Sequence, residues 1–220
     1  MAVSTQPRTR KAAGTPAAQP RVGVFGGAFD PPHNAHIALA QAALAQLHLA
    51  ELRIFPTGQA WHKARALSAA EHRLAMVRLA FADLPGTVVD GRELTRTGPS
   101  YTLDTLRELR HERPDAQLVL ILGADQGNAL PGWHGWQEIV STAIISIAHR
   151  ASPTRAMGRF DPNALAGLPA GARFESLEFA PMALSATEIR ARAAQGLDIA
   201  RLVPPAVARY IDQHHLYAST

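Results

Sequence analysis

The chain has 220 residues, 47% of them hydrophobic, which suffices for one sizeable α/β domain with a buried core and excludes wholesale disorder. It contains no cysteine, so disulfides, thiolate metal sites and a cysteine nucleophile are excluded, and a reducing compartment such as the cytoplasm is compatible. Of the formal net charge of +4, three units come from Arg8, Arg10 and Lys11 within residues 1–20, which hold no acid; the near-neutral remainder argues against a nucleic-acid partner.

Residues 1–20, with Pro7, Pro16 and Pro20 among Ala, Thr and Gln, read as a disordered basic tail ahead of one domain over 21–220. No apolar run approaches the roughly 20 residues of a membrane span, and no apolar core follows the basic residues of the tail, so neither a membrane helix nor a secretory signal is expected. From Arg21 onward strands and helices alternate. Strands are expected at 22–25, 52–55, 87–89, 117–122, 143–148 and 174–179. Helices are expected near 35–49, 69–82, 102–112, 134–140, 186–195 and 205–214, the last two forming a small helical end. This alternation predicts an α/β fold: a doubly wound, mostly parallel sheet with helices on both faces. The run Gln117-Leu118-Val119-Leu120-Ile121-Leu122 lacks polar alternation, as expected of a strand covered on both sides. Residues 150–172, rich in Ala, Gly and Pro, read as a long loop. Ligands of such sheets bind beyond the carboxyl ends of the strands, which directs attention to the residues after 25, 55, 90, 122 and 148.

The stretch after the first strand is the most informative. Gly26 and Gly27 let the backbone turn sharply and let its amides approach a ligand, and the following helix offers unpaired N–H groups suited to phosphate. An ordinary tight turn would account for the glycines equally, and the G-x-G-x-x-G spacing is not met. His33 and His36, three apart at a helix start, make a weak metal site and a better pair of donors to phosphate oxygens; no resident metal is expected. Near the other end, Ser185-Ala186-Thr187-Glu188-Ile189-Arg190 opens another helix. Ser185 and Glu188 fit a capping box, which alone could explain both. Thr187 and Arg190 share one face, where a hydroxyl, free amides and a guanidinium suit a polyphosphate; a solvated surface charge is the alternative for Arg190.

These motifs carry a resemblance. Gly26-Gly27-Ala28-Phe29-Asp30-Pro31-Pro32-His33-Asn34-Ala35-His36 resembles the G-G-x-F-D-P-x-H-x-G-H signature of the nucleotidyltransferase superfamily, and Leu184-Ser185-Ala186-Thr187-Glu188-Ile189-Arg190 resembles its I-S-[SA]-T-x-I-R partner. The block from Glu93 to Leu106 (ELTRTGPSYTLDTL), the Gly123-Ala124-Asp125 element, Pro131-Gly132-Trp133 and the C-terminal run Tyr210–Tyr217 are similar to segments of the bacterial nicotinate-nucleotide adenylyltransferases. The resemblance spans 21–217 and departs at Ala35, where the family has glycine. It departs again at Ala60-Trp61-His62-Lys63, where the family has P-P-H-K, and at His134, where an aromatic tyrosine is usual.

The resemblance implies a Rossmann-like sheet and adenylyl transfer from ATP to nicotinate mononucleotide, giving nicotinate adenine dinucleotide and pyrophosphate in NAD biosynthesis. It implies that Gly26 and Gly27 make room for the α-phosphate and that Ala28 and Phe29 join the ATP-binding set. His33 and His36 then bind the triphosphate, with His36 acting in the transition state. Ser185, Thr187 and Arg190 hold its β/γ end, and Mg²⁺ accompanies ATP. It further implies that Ser100, Tyr101 and Thr102 receive the pyridine carboxylate at a helix mouth. Trp133 stacks on the pyridine ring, Trp136 packs in the core, Asp125 accepts a ribose hydroxyl proton and Lys63 joins the substrate-binding set. Asp30 either fixes its turn or serves a metal-linked role. A different acceptor (nicotinamide mononucleotide or phosphopantetheine), a redox enzyme and a nucleic-acid binder are the competing readings. The 93–106 block opposes phosphopantetheine. The missing dinucleotide fingerprint opposes the redox enzyme, and the neutral body opposes the nucleic-acid binder.

Overall fold

The computed structural model describes residues 19–58, 67–150, 160–180 and 182–218. Its centre is a six-stranded sheet built from β1 (Arg21–Gly27), β2 (Glu51–Pro56), β3 (Thr87–Val89), β4 (Gln117–Gly123), β5 (Ala143–Arg150) and β6 (Phe174–Phe179), in the order β3-β2-β1-β4-β5-β6. Every neighbouring pair is parallel, so the mostly parallel sheet expected is wholly parallel here. The chain leaves β1 toward one edge and returns to β4 to build toward the other. The carboxyl ends of β1 and β4 therefore flank a switch point, where a crevice opens.

Alternation along the strands sorts the core into two layers. Leu118, Leu120 and Leu122 of β4 pack with Val22 and Val24 of β1 under α4 (Thr102–Glu112) and α6 (Trp136–Thr142). Val119 and Ile121 point the other way, with Phe25, toward α1 (Asn34–Gln46), α2 (Ala70–Phe81), α7 (Ala186–Ala194) and α8 (Pro205–Gln213). Gly23 lies between Leu49 and Leu52, whose Cδ1 atoms would stand 2.6 Å from any Cβ added there, so the strand packs this closely only without a side chain.

The helices depart from expectation where left-handed residues intervene. The first helix stops at Gln46 rather than 49 because His48 takes a φ of 49° and turns the chain out of the helix. The expected helix at 134–140 begins two residues late. Leu130–Gly132 forms a 3₁₀ turn and Gly135 takes a φ of 64°, so α6 starts at Trp136 and Trp133 lies before it. Two short helices, α3 (Arg92–Thr95) and α5 (Ala124–Ala129), were not expected; neither is long enough to show a period. Within the expected loop 150–172, Pro162–Ala164 forms a further 3₁₀ turn that Asp161 caps through the Asn163 amide at 2.9 Å. Residues 1–18, His62 and Lys63 lie outside the described residues. Among those described, no helix is long and apolar enough to cross a membrane.

Candidate active site

Two cavities meet at the carboxyl end of β1. One, of about 400 Å³, runs between β1 and β4. It is lined by Gly26, Gly27, Ala28 and His36 on one side and by Ser100, Tyr101, Thr102, Trp133 and His134 on the other. The second, of about 380 Å³, lies between Phe29, Asp30, His33 and His36 and the start of α7, where Ala186, Thr187 and Arg190 line it. Ala28 and His36 line both, so the two spaces adjoin. Segments about 150 residues apart in sequence thus face a common space, the arrangement that a shared triphosphate requires.

The turn after β1 is tightly built. A Cβ placed on Gly26 would meet nothing within 4 Å, because the space it would fill is the cavity itself. Phe29 adopts a φ of 46°, a left-handed backbone costing on the order of 1–3 kcal/mol for a residue with a side chain. Its ring is buried edge-on against Phe25 at 5.5 Å and His36 at 5.0 Å, and that packing holds the turn.

His33 and His36 stack, with ring centroids 3.7 Å apart. The His33 backbone N–H donates to His36 Nδ1 at 3.1 Å, so in the neutral ring the proton sits on Nε2, leaving a single N–H donor. His33 is buried, and desolvation pushes its pKa down to about 4; it is neutral at pH 7. Arg190 is held in place before any ligand arrives: Nη1 donates to the Asp30 carbonyl at 2.7 Å and Nη2 to Thr187 Oγ1 at 3.2 Å. Asp30 is buried with both carboxylate oxygens engaged, one by the Tyr217 hydroxyl at 2.7 Å and one by the Ser68 amide at 3.2 Å. Of the two roles open to Asp30, this geometry favours fixing the turn. Among the described residues no group of three or more histidine or acidic side chains stands together to hold a metal.

At the far end of the larger cavity α4 begins. Tyr101 is its extended N-cap residue and no side chain caps it; its carbonyl accepts from the Asp104 amide at 3.2 Å, which leaves the Thr102 and Leu103 amides without a partner within the helix. A buried network steadies this mouth. Ser100 Oγ donates to the Glu93 carbonyl at 3.1 Å, Thr105 Oγ1 to Glu93 Oε1 at 2.7 Å, and Arg96 Nη1 to Thr105 Oγ1 at 2.8 Å. Burial pushes the Glu93 carboxyl up from the usual carboxylate range. The rings of Tyr101 and His134 stack at 4.4 Å. Trp133 and Trp136 are both half-buried against the core layer under α6, and of the two only Trp133 lines the cavity.

Two expected residues stand apart from the cavities. Ser185 caps α7, its hydroxyl accepting from the Glu188 amide at 3.1 Å, and lines neither space. Asp125 is exposed in the first turn of α5, and its neighbour Gln126 lines the larger cavity instead. Sequence reasoning passed over Thr57, Glu93 and Thr105 as lining residues and met His134, which also lines the cavity, only as a departure from the resemblance. It also passed over Arg73, which lies buried beneath the site and donates to the carbonyls of Ala28, Thr57 and Ser68 at 3.1, 2.6 and 3.0 Å. The signal for Arg73 was its phase. It shares the stripe of Met76, Val77 and Ala80 on α2, where a charged residue signals a buried anchor.

Residues 24–192 match the cytidylyltransferase-like family. A curated relative from Albidiferax ferrireducens, named "Probable nicotinate-nucleotide adenylyltransferase", is 58% identical over 197 residues, covering 90% of this chain and 98% of its own. A relative of the same name from Methylibium petroleiphilum is 43% identical over 204 residues, covering 91% and 93%. Among solved structures, the nicotinic acid mononucleotide adenylyltransferase of Plasmodium falciparum, complexed with APC and in a second structure with NaAD, superposes with a TM-score of 0.70. Its identity to this chain is 18%, and the match covers 90% of this chain and 97% of the other. The folds therefore agree.

Proposed function

The chain belongs to the cytidylyltransferase-like family and, within it, to the nicotinate-nucleotide adenylyltransferases, and from that premise we propose how its two adjoining cavities carry adenylyl transfer from ATP to nicotinate mononucleotide. The products are nicotinate adenine dinucleotide and pyrophosphate, a step of NAD biosynthesis.

The nucleophile is a phosphate oxygen of the mononucleotide, largely ionised at neutral pH because its second pKa is about 6. No general base is needed. The chain must hold two anions in line and stabilise the charge that passes to pyrophosphate, so positioning and electrostatics carry the rate. The α-phosphate lies over Gly26, where open space stands in place of a side chain, and Gly27, whose missing side chain leaves room for the Phe29 ring. His36 offers its Nε2–H to the phosphoryl oxygens, and His33, neutral and stacked on it, fixes the ring. Thr187, Arg190 and the Ala186 and Thr187 amides at the start of α7 hold the β/γ end, with Ser185 keeping that helix mouth in shape through the Glu188 amide. ATP enters as its magnesium complex. The Asp30 carboxylate accepts from Tyr217 and Ser68 and is assigned to the turn; Mg²⁺ bound with ATP would supply charge neutralisation on the triphosphate.

The acceptor's pyridine carboxylate meets the first-turn amides of α4, where an anion is favoured and a carboxamide gains less. Trp133 stacks on the pyridine ring. Lys63 and Asp125 remain assigned to the acceptor by resemblance alone. With no cysteine to oxidise, the chain suits a reducing compartment, and we assign the reaction to the cytoplasm.

The observation that carries this reading is that the β1 turn and the mouths of α4 and α7 open on adjoining spaces sharing Ala28 and His36. Pyrophosphate release from MgATP tests it. Turnover with nicotinate mononucleotide, and none without an acceptor, is expected. Turnover only with phosphopantetheine would refute it.

A further inference from the structure

The end of the chain reaches into the phosphate turn at a contact to which the steps above give no catalytic part. The Tyr217 hydroxyl donates to Asp30 Oδ1 at 2.7 Å across 187 positions of sequence. Asp30 is 2% exposed and ties together three further points: the Ser68 amide ahead of α2, Arg190 of α7, and its own turn beside His33. The segment after α8 is bent to deliver this hydroxyl. His215 and Tyr217 take φ values of 50° and 69°, left-handed backbone that side-chain-bearing residues rarely adopt. Leu216 and Tyr217 pack against the core layer of α1 and α7, which holds the bend.

We infer that Tyr217 is a positioning residue for adenylyl transfer, its hydroxyl holding the 28–33 turn through Asp30 and thereby keeping His36 and Arg190 in place on the triphosphate. The inference rests on the reading of the site given above. Tyr217 does not move a proton: burial, and then the adjacent Asp30 carboxylate, push its phenol far up from the ordinary tyrosine value, so it stays an O–H donor at neutral pH. Tyr210, in the same terminal region, supplies the contrast. Its hydroxyl stands 3.0 Å from His72 Nδ1 on α2, whereas that of Tyr217 reaches the Asp30 carboxylate.

The test compares Tyr217→Phe with Tyr210→Phe and the parent enzyme in the pyrophosphate assay, at a temperature where circular dichroism shows all three folded. Tyr217→Phe is expected to lower kcat about 10-fold with KM for nicotinate mononucleotide nearly unchanged, since sub-ångström misplacement acts on the transition state. Tyr210→Phe is expected to keep the parent kcat. Combining Tyr217→Phe with Asp30→Asn is expected to lower kcat by less than the product of the two single losses, because both act through one contact. Parent-like kcat for Tyr217→Phe, an equal fall in Tyr210→Phe, or multiplicative losses would overturn the inference while leaving the assigned reaction intact. A parent enzyme that does not turn over nicotinate mononucleotide would overturn both.

Discussion

The two cavities differ in what lines them. The one between the β1 turn and α7 gathers His33, His36, Thr187 and Arg190, groups that donate hydrogen bonds or carry charge. The one running to α4 is walled largely by Phe55, Leu120, Leu122, Ile139 and Trp133, with its polarity concentrated at one helix mouth and the Glu93–Thr105 pair. Charge changes during the reaction along the first and at its junction with the second, over Gly26, Gly27 and His36. The second meets a ligand whose nicotinate end is chemically the same before and after. The physical expectation is a division of labour: the polar cavity sets turnover, and the apolar cavity sets which acceptor binds.

Substitution at the hinge between them has the largest consequence. His36→Ala removes a donor aimed at the transferring phosphoryl group and is expected to lower kcat by about 10²–10³ at a temperature where the variant, short of the ring that packs on Phe29 and His33, is still folded. Near-parent turnover would take His36 out of the chemistry. Next comes the cost of building a buried histidine pair. Because the folded-state pKa of His33, about 4, lies below its ordinary 6.5, the unfolded chain takes up the proton first as pH falls. This contribution is complete above pH 6.5, lost progressively between 6.5 and 4, and amounts to about 3 kcal/mol at most. Denaturant melts of parent and His33→Gln across that window check it: the variant's profile is expected to be flatter, and parallel profiles would exclude His33 as the source. The apolar cavity should respond more mildly and differently. Trp133→Ala is expected to raise KM for nicotinate mononucleotide about 10-fold through lost stacking, with kcat changed by less than about threefold. A fall confined to kcat would place Trp133 on the wrong side of the division.

The two regions also differed in how much of them could be read from the chain. The inner strands were legible because a buried parallel strand is a short apolar run: β4 shows it as Leu118–Leu122, and β5 as Ala143–Ala148. The edge strands β3 and β6 are half-exposed and read instead from the β-branched Thr87–Val89 and from the polar–apolar alternation of Ser176–Phe179. The turn at Gly26 and Gly27, the paired histidines and the Thr187–Arg190 face were legible because each is a local pattern. Ser185 was ambiguous in sequence, since one hydroxyl serves equally as cap and as ligand; its bond to the Glu188 amide favours the cap. Contacts joining distant segments were not legible. Nothing near Arg73 announces the carbonyls of Ala28 and Thr57, and nothing near Tyr217 announces Asp30. Helix edges were missed where a single left-handed residue, His48 or Gly135, overrode an apolar pattern that continued past it.

The division between the cavities is open to one comparison: kcat/KM for nicotinate against nicotinamide mononucleotide, measured side by side in the parent and in His36→Ala. The parent should prefer the nicotinate form by at least about 10-fold, from the anion at the α4 mouth. The variant should keep that ratio while both absolute values collapse. A ratio that falls to unity in His36→Ala, or that is already unity in the parent, would contradict the assignment of selection to one cavity and chemistry to the other.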